Sequence, residues 1–186
     1  MTALPHTYRM EETVTRRPLF HRLDIASVIV FRALHLGDML CAVPALRALR
    51  ASLPKARITL IGLPWARQFA RRFQHYIDDF VPFPGHPLLP EQNVRHEELT
   101  PFYTSLCGRR ATLALQMHGN GAASNEIVSG FGARVMAGYC AGKAVATERT
   151  ILYPFPEVGA EPDRLLRLVE RLGAGPAGDH LEFPLA

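Results

Sequence analysis

Two polar segments of the sequence have residue types and spacings suited to chemistry, and the first runs from Arg32 to Asp38. Gly37 permits a tight turn and a close approach of the backbone to a ligand. Because an amphipathic pattern follows Asp38, its carboxylate is expected at a helix N-terminus, where the helix dipole favours the ionised form. Such a carboxylate can act as a general base towards a substrate hydroxyl, although Asp is also among the commonest helix N-caps.

Two other side chains of this segment are candidate substrate contacts. Arg32 ends an apolar run, and its guanidinium is suited to a phosphate or a carboxylate. The alternative for Arg32 is an ion pair at the surface. His35 is either a polar contact or a solvated loop residue.

The second segment, residues 116–125, has the sequence QMHGNGAASN. Its two glycines allow the backbone to approach a ligand, and the helix expected after it offers an N-terminus to an anion. The alternatives are a cap of that helix for Ser124 or Asn125 and a structural role for His118. The candidate substrate contacts of this segment are His118, Gly119, Asn120, Ser124 and Asn125.

The sequence does not contain the motifs of several other enzyme classes. The dinucleotide fingerprint, the P-loop lysine pattern, the GxSxG nucleophile motif and the HExxH zinc motif are absent. The three cysteines, Cys41, Cys107 and Cys140, lie far apart and have no metal-ligand spacing. No metal site and no resident cofactor are therefore expected.

The elements that position these segments alternate along the chain. The predicted strands are Ile25–Phe31, Arg57–Leu63, Asp79–Phe83, Ala111–Met117, Arg134–Gly138 and Ile151–Phe155. The predicted helices are Met39–Leu53, Pro64–Phe73, His96–Cys107, Ser124–Phe131 and Glu161–Leu172. The alternation predicts an α/β fold, a Rossmann-like parallel sheet with helices on both faces. Ligands bind at the carboxyl ends of such strands, so both polar segments should lie at one edge.

The length of the chain indicates its domain organisation, and its charge bears on the partners it can bind. The 186 residues favour one domain, predicted at residues 25–172, with a loose extension at residues 1–24, a linker at residues 173–186 and a mobile loop at residues 139–150. The net charge is +4, but the arginines are spread along the chain, so no nucleic-acid partner is indicated. No apolar run approaches the roughly 18 residues of a membrane span.

Residues 31–64 resemble the opening of glycosyltransferase family 9, the heptosyltransferase-like family. In that family a basic residue ends the first strand, Gly-Asp opens the first helix and Pro follows, as do Arg32, Gly37-Asp38 and Pro44 here. Residues 113–139 are similar to a second family landmark, a QxHG…SN loop followed by a GAR..AG strand. The resemblance extends over residues 25–172.

The resemblance implies the N-terminal, acceptor-side half of a GT-B fold, in which two Rossmann-like domains face an active-site cleft. It implies metal-independent, inverting transfer of a sugar from a nucleotide-diphosphate sugar to a cell-envelope glycan or glycolipid acceptor, as in lipopolysaccharide biosynthesis. Asp38 would be the general base, and Arg32, His35 and residues 118–125 would line the cleft. The donor-binding domain would follow the linker in cis or be supplied in trans, so this chain alone is expected to be inactive.

The same resemblance implies a cytoplasmic protein with a peripheral contact at the inner face of the cytoplasmic membrane. In the full architecture a C-terminal helix returns to pack on the first domain, and an uncovered apolar patch is expected where that helix would pack. The alternative function is a non-catalytic Rossmann-like module that binds an anionic glycan or a lipid headgroup.

Overall fold

The β-branched runs of the sequence form one seven-stranded sheet in the computed structural model, which describes residues 17–184. The strands are β1 (Ser27–Phe31), β2 (Arg57–Gly62), β3 (Asp79–Pro82), β4 (Leu113–Gln116), β5 (Val135–Cys140), β6 (Val145–Ala146) and β7 (Thr150–Pro154). The helices are α1 (Leu36–Cys41), α2 (Val43–Ser52), α3 (Arg67–Arg72), α4 (His96–Gly108), α5 (Ser124–Ser129) and α6 (Glu161–Leu172). Short 3₁₀ turns occur at Leu19–His21 and Pro64–Ala66.

The strand order is β3-β2-β1-β4-β5-β7-β6, and only β6 is antiparallel. The chain moves outward from β1 to β3 and then returns to place β4 on the other side of β1. The carboxyl ends of β1 and β4 therefore form the topological switch point, where α/β sheets bind their ligands. Phe31 pairs with Gln116 in this register, so Arg32 and Met117 leave the sheet side by side.

Apolar side chains cover both faces of the sheet, as the predicted fold requires. Leu49 of α2 and Leu168 of α6 are fully buried on one face. Leu106 of α4 and Ile127 of α5 are buried on the other face. Burying each of these side chains contributes about 1.5–3 kcal/mol. The prediction of a Rossmann-like sheet with helices on both faces is confirmed.

Two local predictions were wrong. The single helix predicted from Met39 to Leu53 is two helices, because Pro44 at the start of α2 has no N–H to continue the hydrogen-bond ladder. Part of the predicted mobile loop at residues 139–150 is sheet, since β5 continues to Cys140 and β6 pairs with β7. Pairing between distant strands, rather than local periodicity, orders that segment.

The described parts of both predicted flanks lie on the domain. Leu19 is 2% exposed, and Phe20 and Leu23 pack against the core beside it, so residues 17–24 are not loose. Residues 1–16 of the predicted extension lie outside the described residues. In the predicted linker, Glu182 pairs with Arg47 of α2 at 3.0 Å, and Phe183 lies under the guanidinium of Arg72. The domain boundaries themselves stay predictions.

Candidate functional site at the β1/β4 switch point

Asp38 lies in the first turn of α1, just beyond the carboxyl end of β1, and is partly buried. The N-cap residue of α1 is His35, and its side chain makes no capping hydrogen bond, so Asp38 is not the cap. Within residues 17–184, no donor hydrogen-bonds the Asp38 carboxylate and no basic side chain forms an ion pair with it. Neither carboxylate oxygen is therefore engaged by a partner from these residues.

Arg32 is buried, with 1% of its surface exposed, and its guanidinium contacts three elements. Nε donates to the backbone carbonyl of Asp38 at 2.9 Å, Nη1 donates to the carbonyl of Met117, and Nη2 pairs with Glu161 Oε1 at 3.1 Å. Burial lowers the pKa of Arg32, while Glu161 and then Asp38 oppose that shift. Arg32 thus connects α1, the end of β4 and α6 at the switch point. Its guanidinium is engaged in these contacts and is not free to bind a ligand.

His118 follows β4 and packs beside Arg32 and Phe31. Its ring stacks on Phe31 with centroids 5.3 Å apart, Nδ1 accepts the Ala33 N–H at 3.3 Å, and Nε2 lies 3.3 Å from Glu91 Oε1. Burial lowers the pKa of His118; Glu91 opposes this shift and Arg32 adds to it. The hydrogen bonds fit a neutral ring that carries its proton on Nε2 and donates it to Glu91.

Gln116, the last residue of β4, holds the loop that follows. Its Nε2 donates to the carbonyl of His118 at 2.5 Å and to Ser124 Oγ at 2.6 Å. Ser124 Oγ donates in turn to the same carbonyl at 2.7 Å. Ser124 is 2% exposed and is not the cap of α5, whose N-cap position is Ala123. Ser124 therefore shapes the loop from within, and its predicted contact with substrate stays a prediction.

The two glycines of this loop differ in how much space their surroundings leave for a side chain. Gly119 and Gly121 both have positive φ, 61° and 83°. A Cβ on Gly121 would lie 2.1 Å from the Tyr139 carbonyl, whereas a Cβ on Gly119 would meet nothing within 4 Å. Asn125 Nδ2 donates to that Tyr139 carbonyl at 2.9 Å, so Gly121 and Asn125 tie the loop to β5. Gly119 and the exposed Asn120 are the parts of the loop open to a ligand.

His35 and Gly37 are both exposed beside Asp38. Gly37 does not have positive φ, so the expected tight turn does not require glycine there. A Cβ at Gly37 would meet nothing within 4 Å, which leaves the approach to Asp38 open. The structure therefore brings Asp38, His35, Gly37, Gly119 and Asn120 to one edge with accessible surfaces.

Sequence reasoning missed two carboxylates of this site. Glu161 opens α6 after β7, and Glu91 lies in the Pro-rich loop after β3. Glu161 forms an ion pair with Arg32, and Glu91 accepts a hydrogen bond from the neutral ring of His118. Their positions after parallel strands are a signal that could have found them, since such segments meet at one edge of the sheet.

Exposed apolar side chains gather at the same edge of the sheet. Leu36, Trp65, Leu88 and Val158 follow β1, β2, β3 and β7, and each is at least 36% exposed. Val158 is 86% exposed. Apolar surface around a polar site is typical of a surface that packs against another domain or a ligand.

Solved structures with a similar fold are glycosyltransferases. The glycosyl transferase family 9 protein of Veillonella parvula DSM 2008 has a TM-score of 0.68 and 17% identity, over 88% of this chain and 46% of its own. E. coli heptosyltransferase WaaC with ADP has a TM-score of 0.57 and 14% identity, over 81% and 48%. E. coli ADP-heptose lps heptosyltransferase II has a TM-score of 0.56 and 17% identity, over 85% and 47%.

No family model matches the sequence, and no curated protein is similar to it in sequence. The predicted resemblance to glycosyltransferase family 9 is confirmed at the level of the fold. The chain spans about half the length of each of these structures. Among residues 17–184, no helix is both long and apolar enough to cross a membrane.

Proposed function

We propose that this chain is the acceptor-side part of a GT-B sugar transferase, in which Asp38 removes the proton of the attacking acceptor hydroxyl. The observation that carries the proposal is the partly buried Asp38 carboxylate, which has no hydrogen-bond or ion-pair partner among residues 17–184. It lies at the switch point where α/β sheets bind ligands. A general base must reach the substrate proton with an oxygen that is not already engaged.

The surroundings of Asp38 support this role. Arg32 contacts Asp38 only through its Nε, which donates to the backbone carbonyl, and its Nη2 pairs with Glu161. An arginine against the carboxylate itself would stabilise the anion and make it a weaker base. The pairing of Arg32 with Glu161 therefore leaves the Asp38 carboxylate without an ion-pair partner among residues 17–184, while Nε of Arg32 fixes the turn that carries it.

The second half of the proposed enzyme supplies the donor. Catalysis of sugar transfer needs donor and acceptor held together, and one wall cannot do this alone. The exposed apolar residues at the same edge of the sheet as Asp38 provide a surface for a second domain, in cis or in trans. Because the E. coli neighbours are heptosyltransferases and one is named for ADP-heptose, ADP-heptose is the first donor to test, with a cell-envelope glycolipid as acceptor. Such an acceptor would place the enzyme at the cytoplasmic face of the membrane.

The test is to combine this chain with a donor-binding GT-B domain and measure sugar transfer from ADP-heptose. The combined protein should transfer sugar, and Asp38→Ala should reduce the rate by at least about 100-fold. Asp163→Ala is the matched control, because Asp163 also lies in the first turn of a helix, α6, and is exposed. Normal transfer by the Asp38→Ala protein would refute the assignment of the base.

The alternative, a non-catalytic module for an anionic glycan or headgroup at this edge, has less support. Arg32, the cation on which it depends, is buried and paired with Glu161. Calorimetry of the isolated chain with glycan acceptors tests this alternative. Binding that weakens with salt would favour it, and the absence of heat with every acceptor would exclude it.

A further inference from the structure

The opposite edge of the sheet, where the strands begin, carries a cavity with a different character. It has a volume of about 480 Å³ and is lined by Arg22, Leu23, Arg134, Val135, Glu148 and Arg149. Its position separates it from Asp38 by the length of the strands. Nothing in the proposed transferase mechanism uses it.

Arginines bring three positive charges to this cavity against one carboxylate. Arg22 precedes β1, Arg134 directly precedes β5, and Arg149 directly precedes β7. Within residues 17–184, their side chains form no ion pair and no hydrogen bond. Glu148 offsets one of the three charges, so the described lining of the cavity has a net positive charge and none of the three arginines is engaged in an ion pair within residues 17–184.

The backbone at each arginine is fixed. The N–H of Arg22 donates to Leu19 in the 3₁₀ turn at 3.1 Å, and that of Arg134 donates to Ala111 at 2.9 Å. The N–H of Arg149 bonds to Thr147 Oγ1 at 3.2 Å, and its carbonyl accepts the Met136 N–H at 2.8 Å. Cations on a fixed frame bind an anion without first ordering the backbone.

We propose that this cavity binds a phosphate-bearing anion, held by Arg22, Arg134 and Arg149. Guanidinium groups form bidentate hydrogen bonds with phosphate oxygens, and three of them suit a ligand with more than one negative charge. Leu23 and Val135 supply an apolar floor next to the charges. The phosphate can belong to a soluble compound or to a lipid headgroup, and the experiment separates these two sources.

The first arm of the experiment is calorimetric titration of the chain with inorganic pyrophosphate. Arg134→Gln/Arg149→Gln should weaken binding by at least about tenfold, because two charge-assisted contacts are lost. Arg134→Lys/Arg149→Lys keeps the charge but loses the bidentate geometry, so its affinity should lie between those of the wild type and the glutamine variant. Neither change removes a side-chain contact within residues 17–184, so the thermal midpoint should stay at the wild-type value.

The control is Arg71→Gln/Lys143→Gln, which removes the same net charge away from the cavity. Arg71 lies on α3, and Lys143 is exposed in the turn after β5. This variant should bind pyrophosphate like the wild type. Equal weakening in the control and in the cavity variant would mean a general effect of charge, and it would overturn the proposal.

The second arm measures sedimentation with phosphatidylcholine vesicles, with and without phosphatidylglycerol. Binding to the anionic vesicles that is lost in Arg134→Gln/Arg149→Gln, but kept in the control, would identify a lipid headgroup as the source. Pyrophosphate binding without vesicle binding would identify a soluble phosphate compound. The absence of binding in both arms would overturn the proposal, and neither arm depends on transferase activity.

Discussion

The two edges of the sheet use arginine in opposite ways. At the carboxyl edge, Arg32 is 1% exposed and bonded to two carbonyls and a carboxylate. At the amino edge, Arg134 and Arg149 are exposed and have no side-chain partner within residues 17–184. A buried arginine must be paired, since an uncompensated buried charge costs several kcal/mol. The first edge therefore uses its cation for structure, while the second leaves its cations for binding.

This contrast explains why composition is a poor guide to the site. The excess of basic residues is compatible with an anionic ligand, but it does not say where that ligand binds. At the proposed acceptor site, Glu161 pairs with Arg32 and Glu91 accepts from the neutral His118, and the Asp38 carboxylate has no partner among residues 17–184. Function follows from which charges are paired, not from how many there are.

Replacing one arginine at each edge tests the contrast most strongly. Arg32→Gln should lower the free energy of unfolding by about 3–5 kcal/mol, because it removes the donor of the Asp38 and Met117 carbonyls and breaks the partly buried ion pair with Glu161. Arg134→Gln should change that free energy by no more than about 0.5 kcal/mol. Urea denaturation of both variants measures the difference. Similar losses of unfolding free energy in the two variants would contradict the proposed difference between the arginines of the two edges.

Glycine substitutions sharpen the description of the carboxyl edge. Gly121→Ala should cost about 3 kcal/mol, because positive φ and the Tyr139 carbonyl both oppose a Cβ. Gly119→Ala, the matched control, has space for a Cβ and should cost only about 1–2 kcal/mol for its backbone conformation. Chemical denaturation under the same conditions compares them. Equal costs would mean that the loop can move away from β5.

The smallest expected effect is a pH dependence from His118. Because its pKa is lower in the folded protein than in the unfolded chain, its contribution to stability is present above the unfolded pKa. That contribution is lost as the pH falls through the folded pKa, with a slope of at most about 1.4 kcal/mol per pH unit. His118→Gln should flatten the curve of unfolding free energy against pH below about pH 6.5. An unchanged curve would show that other groups produce the acid sensitivity.

Local patterns predicted much of this fold. The bounds of the last helix, Glu161–Leu172, agree with the structure because Pro162 marks its start, Gly173 ends it and one face is apolar. The β-branched runs correctly predicted the parallel strands. The Gly37-Asp38 pair was expected beside the start of a helix at the carboxyl edge, and it lies in the first turn of α1.

Tertiary contacts account for what the sequence did not predict. Arg32 and Glu161 are 129 residues apart, and no spacing rule joins them. Ser124 has the residue type of a helix cap, but Gln116 and the His118 carbonyl bind its hydroxyl instead. The short β6 strand exists because β7 offers a partner. Each of these features depends on which distant residue the fold brings near.

In the proposed mechanism, the negative charge of Asp38, rather than the shape of its side chain, drives sugar transfer. The direct measurement is the single-turnover rate of transfer in the combined two-domain protein carrying Asp38→Asn or Asp38→Glu. Asp38→Asn keeps the size of the side chain and should lose at least about 100-fold in rate, while Asp38→Glu should retain part of it. Transfer by Asp38→Asn at the wild-type rate would show that Asp38 is not the general base.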